Sequence, residues 1–93
     1  INQNDETFFY LGEVHNKLNK HEEAIKYYEK SIELNPKYLY SFYGLGSLYY
    51  NLGKNETALK YLENALAIDS KYDDAFNLKE LISYKLNEDK KEK

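Results

Sequence analysis

His21, Glu22 and Glu23 are the one cluster of adjacent side chains in this sequence that could ligate a metal ion. Imidazole and carboxylate groups suit zinc, but a zinc-protease helix needs a second histidine one turn further on, and the sequence lacks it. Acidic residues are also common in the first turn of a helix, where they interact favourably with the helix dipole. We therefore predict no metal site and interpret the cluster as the polar start of a helix.

Catalytic side chains are equally hard to assemble. His15 follows Leu11 at helical spacing, which is typical of a half-buried structural histidine rather than of a general base. No serine or lysine stands in a pattern that suggests an activated nucleophile with a base and an orienting acid. The four glycines are dispersed instead of forming a phosphate-binding loop. We predict that the chain is not an enzyme and holds no cofactor, and leave open a catalytic domain elsewhere in a parent protein.

The amino-acid composition argues against some classes of binding partner. The 93 residues include 16 acidic and 13 basic side chains, and the resulting net charge of -3 argues against a nucleic-acid binder. The chain has no cysteine, which fits a reducing compartment, and no apolar run long enough to cross a bilayer. We expect a soluble, intracellular domain of the cytoplasm. Because the sequence begins at Ile1 and contains no methionine, we expect it to be a segment of a longer protein.

The elements that would carry any site repeat along the chain. A shift of about 34 residues, a period typical of helical repeats, brings many identical residues into alignment. They are Phe8 with Phe42, Leu11 with Leu45, Gly12 with Gly46, Leu18 with Leu52, Glu22 with Glu56, Ala24 with Ala58, Lys26 with Lys60, Tyr27 with Tyr61, Glu29 with Glu63, and Lys37-Tyr38 with Lys71-Tyr72. Apolar residues within each unit recur at three- and four-residue steps, which predicts two helices per unit.

Residues that end helices divide these units. Asn19 and Gly53 occupy equivalent places between the two helices of a unit, and both residue types tolerate the left-handed conformation that ends a helix. Asn35-Pro36 and Asp69-Ser70 mark the ends of the second helices. We predict helices near 5–18, 21–34, 39–52, 55–68 and 73–87.

The spacing resembles that of the tetratricopeptide repeat family, whose pattern is a large aromatic residue, Leu-Gly, a tyrosine, an alanine, a large apolar residue and a proline. The matching residues are Phe8, Leu11-Gly12, His15, Ala24, Tyr28 and Pro36 in one unit, and Phe42, Leu45-Gly46, Tyr49, Ala58, Leu62 and Ser70 in the next. The resemblance covers residues 5–72. Phenylalanine in place of the usual tryptophan, His15 in place of tyrosine and Ser70 in place of proline are departures that keep the spacing.

The fifth helix begins like a third repeat, because Ala75-Phe76 mirrors Ser41-Phe42. Lys79-Glu80 then replaces the Leu-Gly pair that would pack on a further helix, so we predict a capping helix. Phe76, Leu78, Ile82 and Leu86 are expected to cover the second repeat. The predicted fold is all-α: an α-solenoid of two antiparallel helix-turn-helix repeats, about 5–38 and 39–72, with a capping helix at about 73–87. Residues 1–87 would form one domain and residues 88–93 a disordered tail.

The resemblance implies that the first helices of the repeats line a concave surface that binds a segment of another protein. We call this predicted surface the groove, and its candidate peptide-binding residues are Phe9, Tyr10, Glu13, Lys17, Tyr40, Tyr43, Gly44, Ser47, Tyr50, Asn51, Asn77 and Leu81. Exposed aromatic residues often mark binding surfaces, although the high tyrosine content and partial packing could also explain them. Gly44, in mid-helix, either makes room for a ligand backbone or is a tolerated accident.

Some family members bind the C-terminal carboxylates of chaperones through lysine, asparagine and arginine residues. The matching positions here hold Phe9, Glu13, Gly44, Asp74 and Leu78, or Tyr10, Tyr40 and Gly44 in the other register, so we predict no such clamp. Two functions remain: an adaptor that binds a peptide in the groove, and a structural segment of a longer solenoid that stacks on further repeats or on a copy of itself. Because cutting a solenoid would expose the face next to Tyr28 and Ile32, we expect weak self-association, and a strictly monomeric chain would favour the adaptor.

Overall fold

The computed structural model describes residues 4–91, and the side chains of residues 4–88. This part of the chain contains no strand and forms five helices: α1 (Asp5–Lys17), α2 (His21–Leu34), α3 (Leu39–Asn51), α4 (Asn55–Ile68) and α5 (Asp73–Lys91). The all-α prediction is confirmed. The first four helices lie close to their predicted positions, whereas α5 extends beyond the predicted end at 87 to Lys91. Residues 92–93 of the predicted tail lie outside the described residues.

The helices pack in chain order as two hairpins followed by the fifth helix. Helix α1 packs on α2 and α3 packs on α4, while α2 with α3 and α4 with α5 form the contacts between successive hairpins. Helix α1 also touches α3, and α3 touches α5, so the first helices of successive repeats lie side by side. This arrangement is that of an α-helical solenoid.

Both repeats use the same turn between their two helices. Asn19 has a φ angle of 62° and Gly53 one of 80°, both in the left-handed region. The backbone N–H of Lys20 donates to the His15 carbonyl at 2.8 Å, and that of Lys54 donates to the Tyr49 carbonyl at 2.9 Å. The backbone N–H groups of Asn19 and Gly53 also donate, to the carbonyls of Asn16 and Tyr50, and together these bonds form the Schellman arrangement that satisfies the last carbonyls of α1 and α3.

Small residues let the paired helices approach each other. A Cβ atom at Gly12 would lie 2.8 Å from the ring of Tyr28, and one at Gly46 would lie 2.7 Å from Cδ2 of Leu62. Tyr28 and Leu62 are fully buried, as are Ala24 and Ala58. The glycines of the Leu-Gly pairs are therefore required by large side chains on the partner helix, which is close packing of the expected kind.

One difference between the two cores is a pair of buried serines whose repeat equivalents are alanines. Ser31 and Ser41 are fully buried between α2 and α3, where the Ser41 hydroxyl donates to the Ser31 hydroxyl at 2.6 Å. The corresponding contact between α4 and α5 is made by Ala65 and Ala75, also fully buried. A hydrogen-bonded serine pair therefore fills the space that two alanines fill one repeat later, with both hydroxyls satisfied.

Helix α5 covers the second repeat with fewer residues than the sequence suggests. Ile82 is fully buried, and Leu78 and Leu86 pack against the same cluster, as predicted. The prediction for Phe76 is wrong, because its side chain is 50% exposed. Its equivalents Phe8 and Phe42 pack towards the second helix of their own repeat, Phe8 by stacking on Tyr27. Phe76 occupies the matching position in a helix that has no such partner among the described residues.

The residues expected to mediate self-association are placed differently from the prediction. Tyr28 is fully buried, and Ile32 packs against the cluster to which Tyr28 belongs. Tyr28 therefore offers no exposed surface to a second copy, because its ring points into the core between α1 and α3. Lys26 and Glu29 of α2 and Lys60 and Glu63 of α4 are all exposed, and we call the surface that they form the outer surface.

Candidate functional site

A pocket of about 320 Å³ opens between α1, α3 and the connection from α4 to α5. Its volume is at the lower end of the range for small-molecule sites, so it suits one side chain better than a whole ligand. Six of the predicted groove residues meet there. The lining residues are Phe9, Glu13, Asn16, Tyr28, Tyr40, Tyr43, Gly44, Ser47 and Tyr72.

Aromatic rings form most of the wall, and their contacts repeat along the chain. The ring of Phe9 lies edge-on to that of Tyr38 with centroids 5.6 Å apart, and the equivalent rings of Tyr43 and Tyr72 lie edge-on at 5.5 Å. Tyr40 lies between the two pairs, 6.3 Å from Phe9 and 5.7 Å from Tyr72. Because each ring is braced by a neighbour, the wall is held in place by ring-to-ring packing that uses the favoured edge-to-face geometry.

One carboxylate lines the pocket together with these rings. Glu13 lies on α1, one turn after Phe9, and is partly buried. The hydroxyl of Tyr28 on α2 donates a hydrogen bond to its Oε1 atom. Burial raises the pKa of Tyr28, and the hydrogen bond and the charge of Glu13 raise it further, so this hydroxyl stays protonated and remains a donor.

Gly44 is explained by the packing of Tyr28 against α3. A Cβ atom at this position would lie 2.6 Å from Cε1 and 2.7 Å from Cζ of Tyr28. The glycine therefore lets the tyrosine ring cross from α2, past Gly12 on α1, to the surface of α3. Neither room for a ligand backbone nor an accident is needed to account for it.

Tyr72 closes one side of the pocket and was not among the predicted residues. Burial raises its pKa to about 12, and the nearby Asp74, Tyr43, Tyr40 and Glu13 contribute to the same rise. Asp74 and Glu13 act on this hydroxyl because negative charge disfavours the phenolate. Tyr72 is the repeat equivalent of Tyr38, as Tyr43 is of Phe9. The sequence shows that equivalence, but it does not show that the rings are in contact.

The other predicted groove residues lie outside the pocket. Tyr10 is 56% exposed, with its ring 5.2 Å from that of Phe9, and Leu81 is 44% exposed on α5. Lys17, Asn51 and Asn77 are exposed. Tyr50 is half-buried beneath Lys85, whose Nζ atom donates to the tyrosine hydroxyl at 2.7 Å. Asn16 and Tyr28, which do line the pocket, were not among the predicted groove residues.

The described residues contain no group of three or more His, Asp or Glu side chains that could hold a metal ion. His15 is half-buried, its ring Nδ1–H donates to the Leu11 carbonyl at 2.8 Å, and its ring packs on Tyr27. His21 lies at the start of α2, and within residues 4–88 its buried Nδ1 atom has no hydrogen-bond partner. No helix in the described range combines the length and apolar content needed to span a bilayer.

Paired helices, a repeated turn and a pocket between first helices define this chain as an α-helical repeat protein of the solenoid class. Two family models, both for the tetratricopeptide repeat, match residues 6–38 and 27–60. The chain belongs to the tetratricopeptide repeat family. The second match begins in α2 and ends in α4, as expected for a periodic structure that can be divided at either break.

No curated protein matches the sequence. Tetratricopeptide repeats generally mediate protein–protein interaction or scaffolding, and are typically non-catalytic.

Proposed function

We propose that this chain is an interaction module that binds a segment of another protein in the groove, with the pocket as its centre. The observation that supports this proposal most directly is the pocket itself, an open cavity walled by Phe9, Tyr40, Tyr43 and Tyr72. Aromatic rings offer a large, stiff contact area that loses little entropy on binding. An extended or helical peptide would lie along the groove, held mainly by apolar contact.

Charge on the groove is low and mixed. Its charged residues are Glu13 and Lys17, and Glu6 of α1 and Asp74 and Lys85 of α5 lie on helices that carry the groove. Most of the affinity would therefore come from contact area, and the salt dependence of binding would be weak. The positions used by the chaperone-binding carboxylate clamp hold no basic residue in the first two repeats. We therefore propose that acidic C-terminal peptides are not ligands.

A selection from a random peptide library, with the immobilised chain as bait, would supply ligands for a quantitative test. Tyr10→Ala and Tyr40→Ala remove rings that are 56% and 48% exposed, so they should weaken binding with little effect on folding. The expected loss is about 1–2 kcal/mol, roughly 5–30-fold in Kd. Lys26→Ala and Lys60→Ala, on the outer surface, are matched controls and should leave Kd unchanged.

The opposite pattern would overturn the assignment. If the lysine variants abolish binding while Tyr10→Ala and Tyr40→Ala bind normally, the ligand lies on the outer surface. Saturable micromolar binding of an acidic C-terminal peptide, abolished by salt, would show that the clamp prediction is wrong.

A second candidate function is supported by Phe76. This side chain is half exposed at a position where Phe8 and Phe42 are covered by the second helix of their own repeat. We propose that, if the chain is not an adaptor, it is a structural segment of a longer solenoid, in which Phe76 is covered by a further repeat or by a second copy. The absence of cysteine from the sequence accords with a cytoplasmic location. The location can be tested by imaging the fluorescently tagged chain.

A further inference from the structure

The pocket combines aromatic rings with a carboxylate, and none of its described lining residues is basic. The ring faces of tyrosine and phenylalanine carry negative electrostatic potential that attracts cations. Glu13 adds a formal negative charge to the same wall. An anionic group entering this space would meet repulsion from Glu13, whereas a cation would be attracted by both the carboxylate and the rings.

The carboxylate of Glu13 is held in position without being neutralised. In residues 4–88 its hydrogen-bond partner is the hydroxyl of Tyr28, and this bond is made to one oxygen, Oε1. A neutral hydroxyl orients the carboxylate but leaves its charge intact. Because Tyr28 is fully buried and packed against Gly12 and Gly44, it fixes this side of the pocket.

The surroundings carry further negative charge. Asp74 and Glu13 both help to raise the pKa of Tyr72 to about 12, after the larger effect of burial. Burial also raises the pKa of Tyr38, whose ring packs on Phe9, and the charges of Glu6 and Asp5 raise it further. Lys17, one turn beyond Glu13, is exposed and is not among the lining residues. The charged residues that act on the hydroxyls of Tyr72 and Tyr38 are thus acidic.

We propose that the pocket receives a cationic side chain, lysine or arginine, of the bound protein segment. This inference rests on the proposed function and specifies the chemistry of the partner at one position. The rings would surround the aliphatic stem and the charged head, while the free oxygen of Glu13 accepts a hydrogen bond from it. The volume of about 320 Å³ fits one such side chain with water around its head.

The probe is the capped tripeptide acetyl-Gly-Lys-Gly-amide, titrated against the whole chain at constant ionic strength. The backbone amide signals of Gly44 and Ser47 report on the pocket in nuclear magnetic resonance spectra. Two matched peptides replace lysine by norleucine, which has a neutral side chain of similar length, or by glutamate. We expect the lysine peptide to cause saturable shift changes, and the norleucine peptide to bind with a Kd about fivefold higher or more. The glutamate peptide should cause no saturable shift changes.

Two variants separate charge from shape. Glu13→Gln keeps an oxygen that can accept from Tyr28 and removes the charge, so it should reduce the preference for lysine over norleucine to the part that the rings supply. Tyr40→Leu keeps apolar volume but removes a ring face, and should weaken lysine binding more than norleucine binding. Glu29→Gln, an exposed residue of α2, is the control for net charge and should bind as the wild type does.

Each outcome decides the question. Equal affinity for lysine and norleucine, full lysine binding by Glu13→Gln, or no saturable shift would overturn the inference. Library peptides that occupy the groove without needing a basic residue would overturn it while the proposed function stands. If library peptides bind outside the groove while the lysine tripeptide still binds the pocket saturably, the proposed function is wrong but the cation preference of the pocket stands.

Discussion

Tyr28 links the core to the candidate site through a single side chain. Its ring fills the space left by Gly12 and Gly44, and its hydroxyl reaches Glu13 in the pocket. The family pattern asks only for a large apolar residue here, which a leucine satisfies at the equivalent Leu62. The tyrosine therefore adds a polar end to a core position, and that end orients the carboxylate of the pocket.

The raised pKa of Tyr28 predicts a loss of stability at alkaline pH. Burial raises this pKa above its ordinary value of 10.0, and that of Tyr72 to about 12, so the folded state holds these protons more tightly than the unfolded state. Their contribution is fully present below about pH 10 and is lost as pH rises through the folded pKa values. Urea denaturation from about pH 8 to about pH 11.5 should show the free energy of unfolding falling above about pH 10.

Tyr28→Phe keeps the ring and removes the ionising hydroxyl. The decline in unfolding free energy above about pH 10 should be shallower in this variant than in the wild type. Tyr10→Phe, at an exposed position, is the matched control and should retain the wild-type decline. Identical slopes for Tyr28→Phe and the wild type would contradict the prediction.

Gly44→Ala tests whether the glycine is structural. Alanine normally stabilises a helix by about 1 kcal/mol relative to glycine. Here the new methyl group would lie 2.6 Å from the buried ring of Tyr28, and overpacking of this kind costs about 1–3 kcal/mol. We expect a net loss of stability on the order of 1 kcal/mol in urea denaturation. Ser47→Ala, one turn later, adds no atoms and should be close to neutral. A Gly44→Ala variant more stable than the wild type would show that the site can expand freely.

The helices and turns could largely be predicted because the same helix-ending residue types occur at equivalent positions in both repeats. The cap dihedrals confirm the equivalence: Lys20 and Lys54 have φ and ψ of -94° and 72°, and of -95° and 72°. Asn35 and Asp69 likewise share an extended conformation, and each accepts a hydrogen bond from the backbone N–H two residues later. A pattern found once is ambiguous, but the same turn chemistry at the same spacing fixes four helix boundaries.

Gly53→Ala tests the turn that this repetition predicts. The open space around Gly53 would accept a methyl group, so any cost comes from its φ of 80°. A non-glycine residue in this conformation costs about 1–2 kcal/mol, which thermal or urea denaturation would detect. Gly53→Asn copies the residue of the first turn, where Asn19 has a φ of 62°, and should lose less. Equal stability of Gly53→Ala and the wild type would contradict this account of the turn.

The predicted features that proved wrong belong to α5, the helix that has no repeated partner. The end of α5 was placed at 87 because the last apolar residue of the pattern is Leu86, yet the polar residues that follow include good helix formers and continue the helix to Lys91. Phe76 was assigned to the cap by analogy with Phe42. The analogy holds for its place on the helix but not for its burial, which depends on a second helix that the described chain does not contain.

Only part of the candidate site could be predicted, because the sequence does not give contacts between repeats. Residues on first helices, such as Phe9 and Tyr43, follow from helical periodicity and the family resemblance. Tyr28 and Tyr72 reach the pocket from a second helix and from a loop, so their participation depends on how far helices from different repeats approach. Periodicity gives the direction of a side chain within one helix, but it does not give that distance.

The whole molecule is elongated, with dimensions of 52 × 28 × 17 Å and a radius of gyration of 13.6 Å. A compact domain of this length would have a radius near 12 Å. The excess follows from stacking, because each hairpin packs only on its neighbours, and every stack has two ends. The end formed by α5 exposes Phe76 and Tyr84, by 50% and 62% respectively.

The exposed side of α5 therefore replaces the Tyr28 and Ile32 face as the expected site of weak self-association. Burying Phe76 and its neighbours against a second copy would remove apolar surface from water, but the area on one short helix is small, so the association should be weak. Sedimentation equilibrium over increasing protein concentration should show the average mass rising above that of the 11.1 kDa monomer.

Phe76→Asp should restore the monomer at every concentration, whereas Tyr10→Ala, in the groove, should associate as the wild type does. A strictly monomeric wild type would count against the solenoid-segment function and favour a stand-alone adaptor. Association that persists in Phe76→Asp but is lost in Tyr10→Ala would instead place the contact between copies in the groove.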